Sequence, residues 1–409
     1  MRRFKHIITA ILAAIFLVSV PASAFAAGAE NPTGETTYNP LPRPGIYSAA
    51  GIVMDARTGA VIYEKNIHER RPMASTTKIM TVLLALESCD SEDGGIDRDV
   101  AVTVDMMHWE AGTNEIGLEP GHMVSLRDLV IACMMYSAND AAQAIAVELG
   151  GSFEGFAGMM NSRAAEIGMS DTCFVTPSGL SVPGHYSSAY DMALLGVTAV
   201  NTPGFLAYTK MPKAVIAFGS PEKNEFTIYT HNHLLEGQRR GYRGCDGLKT
   251  GYTAAAGSCF VSHVEQNGVS LVCVTLGASS TSGYLSDHTA LYDYALSRYK
   301  RHGVAPLLPA DNIPVIGGFL PTAPIKISGP VSEIYVLDSL DDAFNERVFI
   351  DSFAYAPVVR GQVVGYVQYL CGDLLLAEVP IQIDADVDSA SSDWVSAYVR
   401  LFKRINMEN

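Results

Sequence analysis

Apolar and polar positions follow several distinct rhythms along this chain. Ile7 to Val20 is an uncharged run dominated by large apolar residues. Arg2, Arg3 and Lys5 precede it, and Pro21 breaks it. Ala22-Ser23-Ala24 and Ala24-Phe25-Ala26 then offer small-x-small cleavage signatures. This order predicts a secretory signal peptide over residues 1–26. The run has 14 residues, short of the roughly 20 needed to span a bilayer. No Cys stands near the cleavage sites, so a lipid anchor is not indicated. Residues 27–45 are polar and proline-rich and read as an extended leader.

The next patterns are shorter. Ala50 to Asp55 and Ala60 to Glu64 are β-rich runs around Ala56-Arg-Thr-Gly59, which predicts a hairpin. Ser75 to Glu87 reads as a largely apolar helix buried on most faces. Ser125 N-caps a helix running to Met135. Further helices are expected over Asp140–Leu149 and Phe153–Ile167, then short strands and turns from Tyr242 to Leu276. An amphipathic helix over Asp287–Lys300 closes this part. Beyond Pro309 strand-like runs dominate, at 333–337, 347–351 and 362–369, with a turn at Gly372-Asp373. From Asp393 to Ile405, helical spacing places Trp394, Val395, Tyr398, Leu401, Phe402 and Ile405 on one side, with Arg400, Lys403 and Arg404 around it. That segment suits an anionic membrane surface or a dock on the β-rich part. The expected division is 46–303 as a catalytic domain, 304–388 as a small all-β domain, and 389–409 as an amphipathic helix.

Composition narrows the class. Hydrophobic residues are 48% and charged residues 17% of 409. Such a chain can bury a large core, which excludes wholesale disorder. The net charge of −15 without a basic block argues against nucleic-acid binding. Cleavage after Ala26 would leave 383 residues and, by removing Arg2, Arg3 and Lys5, a net charge of −18. All seven Cys lie beyond residue 26. Cys245, Cys259 and Cys273 are evenly spaced, so a strand meander could bring two together as a disulfide. The favoured reading is small buried hydrophobes.

Three short elements carry candidate chemistry: Ser75-Thr-Thr-Lys78, Ser137-Ala-Asn139 and Lys249-Thr-Gly251. Three residues apart on a helix, Ser75 and Lys78 share a face. A serine needs a base to become a nucleophile, and a lysine made neutral by burial and neighbouring positive charge can be that base. Ser137-Ala-Asn139 lies between two predicted helices, where Ser137 could relay a proton and Asn139 hold a peptide amide. Lys249 sits in a predicted strand and would depress the Lys78 pKa and attract a substrate carboxylate. Thr250 and Gly251 let an extended substrate pair along the strand edge. The backbone N–H groups of Ser75 and Tyr252 could form an oxyanion hole.

All three elements, in this order, form the set found in penicillin-binding proteins and serine β-lactamases. The chain resembles the D-alanyl-D-alanine carboxypeptidases, the low-molecular-mass class of penicillin-binding protein. Met73-Ala-Ser-Thr-Thr-Lys-Ile-Met-Thr81, Ser137-Ala-Asn-Asp-Ala-Ala142, Gly179-Leu180 followed by His185-Tyr-Ser-Ser-Ala-Tyr-Asp191, and Asp246-Gly-Leu-Lys-Thr-Gly-Tyr-Thr253 carry the resemblance. It covers roughly residues 45 to 405. It implies an α+β, β-lactamase/penicillin-binding-protein-like transpeptidase fold: an antiparallel sheet flanked by helices, a helical subdomain carrying Ser137, and a trailing β-domain. It also implies that Ser75 is the acyl-forming nucleophile, Lys78 its base and Ser137 a proton-transfer aid. Asn139 and Lys249 would contact substrate. The implied substrate is the peptidoglycan stem peptide, with β-lactams as covalent inhibitors. The protein would lie at the cell wall or the outer face of the cytoplasmic membrane. No cofactor or metal is called for.

The chain departs from the family pattern at three places. Ala138 replaces a common Gly, and Thr176-Pro-Ser-Gly-Leu180 replaces Asn-Pro-His-Gly-Leu. No Arg lies between Ser280 and Leu285, and Tyr284 stands near the expected place. A class A β-lactamase would need a Glu-x-x-Leu-Asn block, which is absent. A wall scaffold with a degraded site is opposed by the intact motifs. His231 and His233 form a His-x-His without a nearby carboxylate or Cys, so a structural role is favoured over metal binding. His185 reads as a loop histidine.

Overall fold

A computed structural model describes residues 38–89, 95–107, 113–303, 308–329 and 333–390. The expected signal peptide (1–26), most of the leader and the terminal amphipathic segment lie outside the described residues.

A five-stranded antiparallel sheet organises the first three hundred residues. Its order is Val61–Lys65, Ala50–Asp55, Val269–Ala278, Gly257–Gln266, Cys245–Thr253. The first two are the expected hairpin, and the last three are the expected meander, built from strands of nine or ten residues. These strands are apolar on both faces, because both faces are covered. On one side Ile52, Val272 and Val274 join a core shared with five helices: α1 (Lys78–Glu87), α2 (Leu126–Ile131), α3 (Asn139–Gly150), α4 (Phe153–Ile167) and α5 (Ala189–Asn201). On the other side Val53 and Cys273 pack under α6 (Thr281–Ser297) with Tyr292 and Leu291.

Ser125 caps α2 as expected, its Oγ accepting the Asp128 N–H at 3.0 Å. The helix then widens into a π-helical turn, Ala132–Tyr136, a device often found at functional sites. Two helices differ from the sequence reading. α5 escaped it, although Ser188-Ala-Tyr-Asp191 is a start signal and the Ser188 Oγ accepts the Asp191 N–H at 3.1 Å. α6 starts at Thr281, six residues before the expected Asp287, and ends at Ser297. Its first turn holds Gly283 and little apolar rhythm, so only the Ser280 cap, accepting the Gly283 N–H at 3.1 Å, marks the start. Tyr299 and Lys300, expected in that helix, open a strand that pairs with Glu333–Leu337.

The expected β-rich region is a six-stranded sheet ordered Phe344–Ile350, Val363–Cys371, Leu374–Ile383, Thr322–Ile327, Asn312–Ile316, Ala354–Tyr355. It has its own core, including Val367, Ile381 and Ile383. Gly372-Asp373 turns between two of its strands as the sequence predicts.

All seven cysteines are free thiols. The meander forms, yet it places Cys259 opposite Gly251, Cys245 opposite Val264 and Cys273 opposite Ser262. Cys259 faces one core, and Cys245 and Cys273 face the other. The disulfide reading therefore falls, and the small-hydrophobe reading describes all three. Among the described residues no helix is long and apolar enough to cross a membrane.

Candidate active site

The Ser75 turn is held by short polar side chains. Residues Ala74–Thr77 form a 3-10 turn that runs straight into α1. Ala74 has φ +49, an uncommon left-handed conformation for a residue with a Cβ. Thr76 Oγ1 donates to Met73 O at 2.6 Å and Thr77 Oγ1 to Ala74 O at 2.9 Å. Behind them stands His185, 4% exposed. Its Nδ1 accepts the N–H groups of Val175 and Thr176 at 3.0 and 3.3 Å. The ring proton therefore lies on Nε2, which donates to Thr77 Oγ1 at 2.9 Å. Burial pushes the His185 pKa down to about 4 and keeps the ring neutral. His185, expected as a loop histidine, thus braces the turn. Its only signal in the sequence is its place in the block before Asp191 that carries the family resemblance.

Gly179 and Gly251 allow two close approaches. Gly179 has φ +89, and a Cβ there would sit 1.9 Å from Ala74 O. A Cβ on Gly251 would sit 2.7 Å from the Ser75 backbone N. Strand Cys245–Thr253 is an edge strand, so Gly251 brings a free sheet edge against the serine turn.

Lys78 is buried beneath Ser75. Its Nζ lies 3.0 Å from Ser75 Oγ, 2.7 Å from Asn139 Oδ1 and 2.8 Å from the Ser178 carbonyl oxygen. Desolvation pulls its pKa down to about 8, against the opposing pull of Cys133 and Asp140. A neutral amine has two N–H donors and one lone pair. The two carbonyl oxygens take the donors, which leaves the lone pair for the Ser75 hydroxyl.

Ser137 and Asn139 come from the end of the π-helical turn. Ser137 adopts φ +66 and reverses the chain, so that Asn139 opens α3 with its side chain turned to Lys78. Asp140 was not singled out in the sequence. Its buried carboxylate accepts the N–H groups of Ile116, Gly117 and Leu118 at 3.0, 2.9 and 3.0 Å. It ties the 114–118 loop to the start of α3. Lys249 is 1% exposed, and its Nζ donates to Thr250 O at 2.8 Å. Burial, then the charge of Lys78, pulls its pKa down to about 7.

These elements enclose a cleft of about 520 Å³. Ser75, Ser137, Asn139, Thr250, Gly251 and Tyr252 line it, and the two lysines lie behind them. Tyr252 is 70% exposed at the rim. His231, His233 and Tyr284 also line the cleft. Burial, Lys249 and His233 depress the His231 pKa. Among the described residues no group of three His, Cys, Asp or Glu side chains is placed to hold a metal. Tyr284 is almost wholly buried, and its phenol is pushed up to about 12.

An antiparallel sheet with a helical block, and a serine over a buried lysine between them, define the penicillin-binding-protein class of fold. Solved structures agree. D-alanyl-D-alanine carboxypeptidase DacD from Francisella tularensis superposes with a TM-score of 0.60 at 25% identity, covering 87% of this chain and 97% of that one. Penicillin-binding protein D2 from Listeria monocytogenes, in its ampicillin-bound form, gives 0.54 at 29% identity over 62% of this chain and 99% of that one. A curated relative, D-alanyl-D-alanine carboxypeptidase DacF of Bacillus subtilis, is 29% identical over 391 residues, 94% of this chain and 95% of its own length. Residues 36–280 match the family model for D-alanyl-D-alanine carboxypeptidase, peptidase family S11, and the chain belongs to that family. It is a serine-type D-alanyl-D-alanine carboxypeptidase, as the sequence motifs implied.

Proposed function

We propose that Ser75 attacks the carbonyl between the last two D-alanines of a peptidoglycan stem peptide. The observation that carries this reading is the hydrogen-bond set of Lys78, which aims a lone pair at Ser75 Oγ. The Ser75 proton passes to Lys78 Nζ as the Oγ–carbon bond forms. The carbon–nitrogen bond then breaks, and the departing D-alanine amine takes a proton through Ser137. Water hydrolyses the Ser75 ester and restores the hydroxyl. The Ser75 and Tyr252 N–H groups stabilise the oxyanion, and Gly251 supports this by letting the strand approach the serine turn. Lys249, Thr250 and Asn139 hold the substrate. β-Lactams acylate the same serine, a reading supported by the ampicillin-bound relative.

The signal-peptide pattern read over residues 1–26 supports action outside the cytoplasm. The basic amphipathic segment after residue 390 attaches the enzyme to the outer face of the cytoplasmic membrane. Labelled penicillin should form a long-lived adduct that Ser75→Ala abolishes, and a mimic ending in D-Ala-D-Ala should release D-alanine. Rapid adduct turnover would support a β-lactamase instead. An intact mimic alongside normal labelling would overturn the carboxypeptidase mechanism.

A further inference from the structure

The six-stranded sheet leaves an apolar end in water. Phe319 and Leu320 tip the turn between strands Asn312–Ile316 and Thr322–Ile327, at 72% and 56% exposure. Beside them Ile316 pairs with Tyr355, and the Ala356 N–H donates to Ile316 O at 3.0 Å. Phe353 meets Tyr355 edge to face at 5.2 Å. The neighbours Val315 and Ala354 point into the core, so strand alternation turns Ile316, Phe353 and Tyr355 outward. Water-facing positions of such strands are ordinarily polar. Here five large side chains from two adjoining segments share one end of the domain.

The chain leaves the domain at this end. The Phe319 N–H donates to Asp388 O at 2.9 Å, and the Ala390 N–H donates to Gly317 O at 2.8 Å. Gly318 bridges Ser389, and a Cβ on it would press into Val387. Residue 390 is therefore fixed beside Phe319 and Leu320. Trp394 follows only four residues later, at most about 14 Å along an extended chain. If the terminal segment lies on a bilayer, this tip lies at the same surface.

We propose that this end of the sheet is a second membrane contact. Phe319 and Leu320, backed by Ile316, Phe353 and Tyr355, enter the headgroup layer of an anionic phospholipid bilayer next to the terminal segment. The inference rests on the reading of residues 391–409 as membrane-lying. The five tip residues carry no charge, while Arg400, Lys403 and Arg404 supply electrostatic attraction. The pair works as two modest signals that together give firm attachment.

The test is co-sedimentation of the full mature chain with vesicles of phosphatidylglycerol and phosphatidylcholine. Phe319→Ser/Leu320→Ser should weaken vesicle binding roughly tenfold or more, equally in low and high salt. Penicillin labelling and melting temperature should stay unchanged, as should vesicle binding by Phe226→Ser, which alters an exposed ring on the strand Asn224–Tyr229, outside the six-stranded sheet. Deletion of 391–409 should weaken binding with a marked salt dependence. Parent-like binding by the tip variant, with the deletion released, overturns the tip contact and spares the terminal reading. Parent-like binding by the deletion, with the tip variant released, overturns the terminal reading and leaves the tip as the contact. A concentration-dependent dimer that the tip variant abolishes, without change in vesicle binding, overturns the proposal in favour of a second copy. Tip amides protected without vesicles, and exposed on deletion of 391–409, overturn it in favour of the terminal segment as cover.

Discussion

Around Ser75 the chain buries ionisable side chains, while beyond residue 308 it leaves large apolar side chains in water. Lys78, Lys249 and His185 are all buried, and burial lowers each pKa. In the six-stranded domain the cations lie at the surface, as in Lys326 with Asp384 at 2.6 Å. The backbone differs as well. The serine turn holds Ala74 at positive φ, and the end of the π-helical turn holds Ser137 there. From residue 308 onward the described residues at positive φ are all glycines. Buried charge and left-handed non-glycine residues are unfavourable for folding and persist where surrounding structure enforces them. The contrast separates a region shaped for chemistry from one shaped by ordinary packing.

The largest effect should follow removal of the proposed base. Lys78→Ala should slow acylation by labelled penicillin by about a thousandfold, within the range expected for a general base. The rate in the parent should rise with pH through about 8, because the neutral amine is the active form. A pH-independent rate would break the assignment of Lys78 as base. The six-stranded domain, which contributes no group to this step, should unfold as in the parent.

Next comes backbone strain. Gly179→Ala places a Cβ against Ala74 O at a left-handed φ. It should destabilise the protein by about 3 kcal/mol and displace the serine turn, with loss of labelling. Gly317→Ala provides the matched substitution in the other region. It also has positive φ, at +78, but open space around its Cα. It should cost about 1 kcal/mol and leave labelling intact. Equal effects of the two on labelling would show that the serine turn does not depend on the Gly179 contact.

His185 should give a smaller, pH-dependent effect. Its folded pKa of about 4 lies below its unfolded value near 6.5. Between these values the unfolded chain binds more protons, so stability is full above pH 6.5 and falls as pH drops toward 4. The loss from this residue is on the order of 2–3 kcal/mol. His185→Gln should flatten that slope in chemical denaturation. The remaining slope belongs in part to His288, which is buried and depressed to about 3. An unchanged slope would mean that His185 already titrates in water.

The difference between the regions also governs what could be read from sequence. Strand 50–55 and helix α1 follow from continuous apolar runs, because they are buried on nearly every side, and α4 follows from the spacing of the one face it buries. The three motifs identify residues that the fold gathers into one cleft, Ser75, Ser137, Asn139, Thr250 and Gly251 lining it and Lys249 behind. His185 and Asp140 escaped because their work is to accept backbone N–H groups nine or more residues away, and in His185 also to donate to the Thr77 hydroxyl. No local spacing encodes such partners. The start of α6 escaped because a single serine cap marks it, and α5 because its start signal lies inside a motif read for chemistry. The cysteine pairing failed for a simpler reason. Even spacing along the chain does not survive the bulges between Cys245 and Gly247 and between Ser258 and Phe260, nor the two-faced alternation of the sheet.

The smallest effect should come from the surface cations of the six-stranded domain. Lys326 and Asp384 stand 2.6 Å apart, with side chains 50% and 39% exposed. Lys326 holds the Asp384 carboxyl below its usual range. The cause differs from that at His185, attraction instead of burial, but the sign is the same: the pair stabilises above the unfolded carboxylate pKa, and that support is lost as pH falls through the folded one. Water and salt screen so exposed a pair, and ordering two long side chains offsets most of its attraction. Lys326→Ala should leave the melting temperature at physiological salt unchanged within error, and penicillin labelling untouched. A clear drop that persists at high salt would mean that this region, like the serine turn, depends on a specific charge, and the contrast between the two would fail.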